Sequence, residues 1–188
     1  METPKVERGS LLLSEPFMFD PNFKRTVILM TDNTSEGGIG FVLNKPTNLT
    51  LPDVLLDIND FNARLFHGGP VQPETLHFVH NLGNQMKDTQ EISPGIFWGG
   101  DFEQLKDLID TKAVAPKNFK FFLGYSGWSP GQLENELKEN SWIVTESKPQ
   151  HVFSNRPGDL ARLWNKILEK MGGDYRFMST FPEDPRYN

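Results

Sequence analysis

The sequence predicts an α+β fold, a single domain of predominantly antiparallel strands with about four helices to cover them. Three observations carry this prediction. Phe121 to Trp142 reads as a strand, a glycine-rich turn and a capped amphipathic helix in immediate succession. Short apolar runs rich in β-branched residues are separated by turn formers, as in hairpins. Helical periodicities fall between these hairpins irregularly, which disfavours the regular alternation of a doubly wound parallel sheet.

In chain order, Gly9 to Ser14 and the TVILMT run after the turn-like EPFMFDPNF read as strands. Asp32 to Gly38 is dense in turn formers and Ile39 to Leu43 resumes the apolar pattern, so Thr26 to Asn44 is expected to be a hairpin with a long loop. Lys45-Pro46-Thr47 ends that strand, and Leu51-Pro52-Asp53 opens a short helix through Ile58, with Val54, Leu55 and Ile58 on its apolar stripe. Arg64 to Phe66 leads into His67-Gly68-Gly69-Pro70-Val71, where two glycines and a proline demand a special backbone path. Leu76 to Leu82 and Ile96 to Trp98 are further strands. Asp101 caps a helix running to Asp110, with Phe102, Leu105, Leu108 and Ile109 facing inward.

In the central strand Phe119, Phe121 and Leu123 alternate with Lys120, Phe122 and Gly124. Ser129 then stands as N-cap, Pro130 as first helical residue and Gln132 as capping-box partner of a helix that buries Leu133 and Leu137 and pairs Glu134 with Lys138. Trp142 opens the strand WIVTE, and His151 to Ser154 reads as a short or edge strand. Pro157 opens the longest helix, in which Leu160, Leu163, Trp164, Ile167 and Leu168 keep helical spacing until Gly172 and Gly173 stop it. Residues 174–188 are polar and carry two prolines, so they are expected to lie over the surface or to be disordered.

Composition narrows the function. With 188 residues the chain can bury one substantial core, and with no cysteine it has no disulfide, thiol nucleophile or thiolate metal site. A net charge of -6 gives no electrostatic footprint for nucleic acid or anionic lipid. The start, METPKVERGS, lacks the apolar core of a leader and no later run approaches a membrane span, so a cytoplasmic protein is expected.

No catalytic set emerges. Gly124-Tyr125-Ser126-Gly127-Trp128 has the spacing of a nucleophile elbow, but Trp128 stands where that motif needs glycine and the helix starts too late. Gly37, Gly38 and Gly40 are followed by a strand rather than by a lysine and a helix start, which excludes a phosphate loop. Of the four histidines (67, 77, 80 and 151), His77 and His80 are three apart in a strand and point to opposite faces, so neither a metal nor any other cofactor is expected. The candidate binding residues are those of the two glycine-rich turns: His67, Gly68, Gly69 and Pro70, and Tyr125, Ser126, Gly127 and Trp128. Both turns follow apolar strands and carry ring side chains. If they meet they frame a recognition surface with free backbone N–H groups and a helix end beside it, suited to a partner's carboxylate or a small anionic ligand. The bland alternative is that the glycines only permit tight turns and that Trp128 is core.

GSLLLSEPFMFDPNFKRTVILMTDN, GGIGFVLNKPT, FHGGPV, HFVH and YSGWSPGQLENELKENSW resemble, in that order, the motifs of the AlgH/YqgE family of bacterial proteins, from about Gly9 to Trp164. The resemblance implies an α+β fold in which a bifurcated sheet forms a small barrel surrounded by helices. It implies no catalytic residues. It associates the chain with a proposed role in transcriptional regulation, and it places the HGGPV and YSGW segments on one shared surface.

The expected function is therefore a non-catalytic binding or regulatory module acting through protein partners. A direct DNA binder is the second reading, but the helix from Pro157 to Lys170 mixes Arg162, Lys166 and Lys170 with Asp159 and Glu169, the pattern of a solvated face. An enzyme working through a cleft at His67 and Ser126 is the third.

Overall fold

The structure is a computed structural model that describes residues 4–183. Its strands are β1 (Ser10–Ser14), β2 (Val27–Thr34), β3 (Gly37–Val42), β4 (Pro46–Thr50), β5 (Arg64–His67), β6 (Val71–His80), β7 (Gln90–Ser93), β8 (Ile96–Trp98), β9 (Phe119–Trp128) and β10 (Trp142–Glu146). They join in a curled, mostly antiparallel sheet, a half-barrel with hydrogen-bonded order β10-β1-β2-β3-β9-β6-β8-β7. Helices α1 (Leu51–Val54), α2 (Phe102–Asp110), α3 (Gln132–Lys138), α4 (Pro149–Val152), α5 (Pro157–Ala161), α6 (Leu163–Met171) and α7 (Gly173–Met178) complete the α+β architecture.

The sheet forks at β9. From Phe119 to Leu123 this strand lies between β6, antiparallel to it, and β5, parallel to it with Leu65 opposite Phe121. From Ser126 to Trp128 it pairs with β3 instead, Gly40 opposite Ser126 and Gly38 opposite Trp128. Gly124, at φ +65, turns the backbone at the point of exchange. The strand must therefore be apolar on both sides. Phe122 faces the cluster of Leu29, Phe41 and Trp164, whereas Phe119 and Phe121 face the cluster of Phe61, Phe78 and Leu105. A third cluster, with Ile28, Trp128, Leu133 and Trp142, lies under α3.

Several local expectations change. The Tyr125-Ser126-Gly127-Trp128 stretch is not a turn but the second half of β9, because β3 supplies it with backbone partners. The long loop expected over Asp32 to Gly38 contracts to Ser35-Glu36. Asp32 to Thr34 pair with Gly37 to Ile39 after an irregularity at Thr31, and a cross-strand partner outweighs the turn preference of the side chains. The flanking strands β4 and β7 were not expected from their polar sequences, and the helix expected from Leu51-Pro52-Asp53 through Ile58 is a single turn that ends where Leu55 becomes extended.

The start of α3 also differs. Gly131 occupies the N-cap position at φ +77, the helix begins at Gln132 and no side chain caps it. Ser129 N–H donates to Gln132 Oε1 at 3.0 Å, so half of the expected capping box forms while the serine hydroxyl stays out of it. What anchors α3 is Glu136. Its carboxylate accepts the indole N–H of Trp128 at 2.8 Å and that of Trp142 at 2.7 Å, with Gln132 Nε2 donating at 2.8 Å.

Toward the C-terminus, His151 to Ser154 is not a strand. Pro149 opens the helical turn α4 there. The long helix breaks at Arg162 into α5 and α6, and Gly173, expected to stop it, opens α7, so Asp174 to Met178 of the expected surface tail is helical, while residues 184–188 lie outside the described residues. These extra short pieces account for seven α-helices among the described residues where about four were expected. Among the described residues no helix is long and apolar enough to cross a membrane.

A Cβ at Gly124 would lie 2.7 Å from the carbonyl oxygen of Val71, in addition to the strain of a positive φ. Gly124→Ala is therefore expected to lower stability by about 2 kcal/mol or more, and Ser129→Ala to stay within about 0.5 kcal/mol of the parent, both read from the denaturant midpoint.

Candidate functional site

The two glycine-rich segments meet, and backbone atoms make the junction. Gly68 N–H donates to the carbonyl of Leu123 at 2.9 Å, and the Gly68 carbonyl accepts Val42 N–H at 2.9 Å and the Ser126 hydroxyl at 3.1 Å. This is the crotch of the fork, where β5 ends and β3 takes its place beside β9. Side chains do not fit there. A Cβ at Gly68 would sit 2.2 Å from the carbonyl oxygen of Gly124, and one at Gly69 2.3 Å from the peptide of Tyr125.

Each candidate residue then has a defined place. Gly68 is buried in the junction and Gly69 is half-buried against Tyr125. Ser126 is fully buried with its hydroxyl committed to Gly68, so it ties the two segments together rather than facing solvent. Trp128 packs in the cluster under α3, edge-on to Trp142 at 6.0 Å, with its indole N–H on Glu136. His67 and Pro70 are exposed at the rim, Gly127 is exposed and Tyr125 is half-buried.

Beside this junction runs an open groove of about 530 Å3 on the β3 and β9 ribbon. Register explains it. Ile39 is opposite Gly127, and Val71 is opposite Tyr125, so the missing side chain of Gly127 leaves a depression walled by Ile39, Tyr125 and Val71. A Cβ added at Gly127 would meet only the Tyr125 ring, at 3.2 Å, and Val71 at 3.7 Å. Asp32 and Glu36 from the β2 to β3 hairpin supply the acidic rim, Asp32 being paired with Arg8 at 3.1 Å. His67 and Ser126 do not line the groove. Asp32, Glu36, Ile39 and Val71 do; sequence reasoning missed Asp32 and Glu36 because Asp32 to Gly38 reads as a loop, and Ile39 and Val71 because their registers with Gly127 and Tyr125 join strands distant in the chain.

Buried titratable groups lie along the same strands. His80 is fully buried: its Nδ1 accepts from Leu82 N–H at 3.2 Å, so the proton resides on Nε2, which reaches the Gly99 carbonyl at 3.0 Å and Thr89 Oγ1 at 2.8 Å. Burial pushes its pKa down to about 4, against a smaller upward pull from the Gly99 carbonyl. His77, half-buried against Phe41 and Tyr125, is lowered by burial as well; its Nε2–H meets Thr75 Oγ1 at 2.9 Å. Lys120 is the unusual one. It points into the interior, Nζ lying 3.8 Å from the centre of the Phe66 ring, and donates to the Ser154 carbonyl at 3.2 Å and to Asn155 Oδ1 at 3.3 Å. Burial lowers its pKa to about 7. A neutral amine still serves both acceptors, so the bonds survive loss of the charge.

The sign of the resulting pH dependence follows from linkage. Between about pH 7 and the ordinary lysine range the unfolded chain holds a proton on Lys120 that the folded chain has released, so stability rises with pH across that window, and the full charge penalty applies below pH 7. Lys120→Met is expected to abolish about 2 kcal/mol or more of the pH-dependent gain between about pH 7 and 9.5. Paired denaturant titrations at the two pH values read the difference directly, and parallel pH profiles for the two proteins would refute the burial of the charge.

Ser126→Ala removes one of the two donors at the Gly68 carbonyl and is expected to cost about 1 kcal/mol, again from the denaturant midpoint.

Comparison with known proteins places the chain. The profile of the AlgH-like family (DUF179) matches residues 11–176. A UPF0301 protein of Chlorobaculum parvum is 41% identical over 187 residues, covering 100% of this chain and 98% of its own, and one of Cytophaga hutchinsonii is 41% identical over 97% of this chain and 100% of its own. The solution structure of the AlgH protein from Pseudomonas aeruginosa superposes with a TM-score of 0.71 at 25% identity, covering 97% of each chain. An X-ray structure of a Corynebacterium diphtheriae protein reaches a TM-score of 0.78 at 22% identity over 96% of this chain and 95% of its own, a likeness of fold. Profile, sequence relatives and folds agree over nearly the full length, and the chain belongs to the AlgH-like family.

Proposed function

We propose that the protein is a cytoplasmic, non-catalytic binding module that acts in regulation through a protein partner, and that the partner docks a short cationic segment in the groove on β3 and β9. The observation that carries this reading is the groove itself: an apolar floor and walls from Gly127, Ile39, Val71 and Tyr125, next to the carboxylates of Asp32 and Glu36. An aromatic wall with an acidic rim suits a segment that pairs an apolar side chain with lysine or arginine. A partner carboxylate is a poorer match, because the N–H of Gly68 is already bonded within the junction. The buried hydroxyl of Ser126, donating to a carbonyl, argues against a nucleophile there. The net charge of -6 favours a protein partner over nucleic acid.

The partner is to be captured from lysate of the native cell, identified, purified and recombined with variants of this chain. Glu36→Lys reverses the rim and Gly127→Leu fills the floor, both at exposed positions. Each is expected to weaken the reconstituted complex by about tenfold with the melting temperature retained. Affinity unchanged in both variants would remove the groove from recognition.

A further inference from the structure

Beside the groove, the backbone of β9 has an edge that no strand covers, and its direction follows from β3. Thr31 Oγ1, on β2, donates to the Ile39 carbonyl at 3.2 Å, so Ile39 turns its backbone toward β2. Val42 N–H, three residues on, points the other way and donates to Gly68 at 2.9 Å. Successive residues of a strand direct their polar groups to opposite edges, so Gly38 and Gly40 face β9 and Ile39 does not. The pairs Gly38 with Trp128 and Gly40 with Ser126 therefore carry the ladder bonds, and the Ile39 and Gly127 pair between them carries none. The N–H and C=O of Gly127 then point to the far edge of β9.

No strand meets them there. β6 follows that edge only as far as Val71, opposite Tyr125. Among the described residues neither Gly69 nor Pro70 bonds to Gly127, which is exposed. A free donor and acceptor on one extended residue are the complement of one residue of another extended chain, which offers an acceptor and a donor in return.

Side chains decide which chain fits. The residue of an added strand that lies opposite Gly127 holds its side chain on the face of Ile39, Tyr125 and Val71, over the depression left by the glycine. The next side chain on that face is two residues away. In a strand antiparallel to β9, the residue two positions before comes beside Ser129 and Pro130, the end of the groove where the β3 register leads on to Glu36.

We infer that Gly127 binds the backbone of a partner segment as an added β-strand of the form cation-x-apolar, antiparallel to β9, with the apolar residue opposite Gly127 and the lysine or arginine at Glu36. The choice of side chains rests on the groove reading above, whereas the backbone pairing rests on the uncovered edge. In strand addition main-chain bonds supply affinity and alternate side chains specificity. A helical segment, whose facing side chains are three and four apart, leaves Gly127 unpaired.

Amide exchange in the free protein tests the edge: Gly127 N–H is expected to exchange at least about tenfold faster than those of Ser126 and Trp128 on either side. A capped pentapeptide with lysine first, valine third and threonine elsewhere is then titrated into isotopically labelled protein, alongside a copy N-methylated at the valine. With the parent peptide, saturable shifts centred on Gly127 and slower exchange of its amide are expected, and the methylated copy is expected to bind about tenfold more weakly. A loss confined to the methylated copy, with Glu36→Lys binding the parent peptide unchanged, would uphold the added strand and remove Glu36 from recognition. Equal affinity for the two peptides would overturn strand addition, and if Glu36→Lys weakened both alike the groove reading would stand without it. Protection of Gly127 in the free protein, or no saturable shift with the parent peptide, would also overturn the inference.

Discussion

The carbonyl of Gly68 accepts two donors, Val42 N–H and the Ser126 hydroxyl, and the rest of the sheet is arranged around that meeting. A strand has two edges, yet β9 serves β6, β5 and β3, so β5 must leave where β3 arrives. At such an exchange, backbone groups on both departing and arriving strands lose their ladder partners, and leaving them unpaired in the interior would be costly. Gly68 and Ser126 satisfy them. The glycines flanking the junction have no side chain because neighbouring peptides occupy the space one would take.

This constraint also makes the surface. Alternation along β9 sends Ser126 and Trp128 inward and Tyr125 and Gly127 toward the groove, so one short segment both locks the fork and shapes the depression beside it. Lys120 connects strand and helical layers at the expense of a buried amine, an arrangement whose cost depends on pH.

The sequence showed the class of fold and most of the strong elements because their side chains carry the signal: the LLL and VILM runs, the FKFFL core strand, and α2 with its Asp101 cap at 3.0 Å from Gln104 N–H. The elements that were misread depend on partners distant in the chain. Tyr125 to Trp128 and Asp32 to Thr34 have turn-forming composition and become strands because β3 and β9 or β2 and β3 satisfy their backbones. That His67 to Pro70 and Tyr125 to Trp128 converge was legible in the residues themselves as no more than a shared peculiarity of glycine and ring side chains, and otherwise came from the family resemblance. Which of them would be buried was not, since the burial of Ser126 follows from register with Gly40. Lys120 did leave a trace, a lone lysine in an apolar run, but its burial depends on packing against Phe66 and the loop at Ser154.

The most direct measurement of the central claim is native-state hydrogen exchange at the fork. If the junction holds the sheet together, the amide protons of Val42 and Gly68, bonded to Gly68 and Leu123, exchange only through global unfolding and rank with the slowest in the protein. Exchange of these two amides as fast as those of the Ser35-Glu36 turn would contradict it.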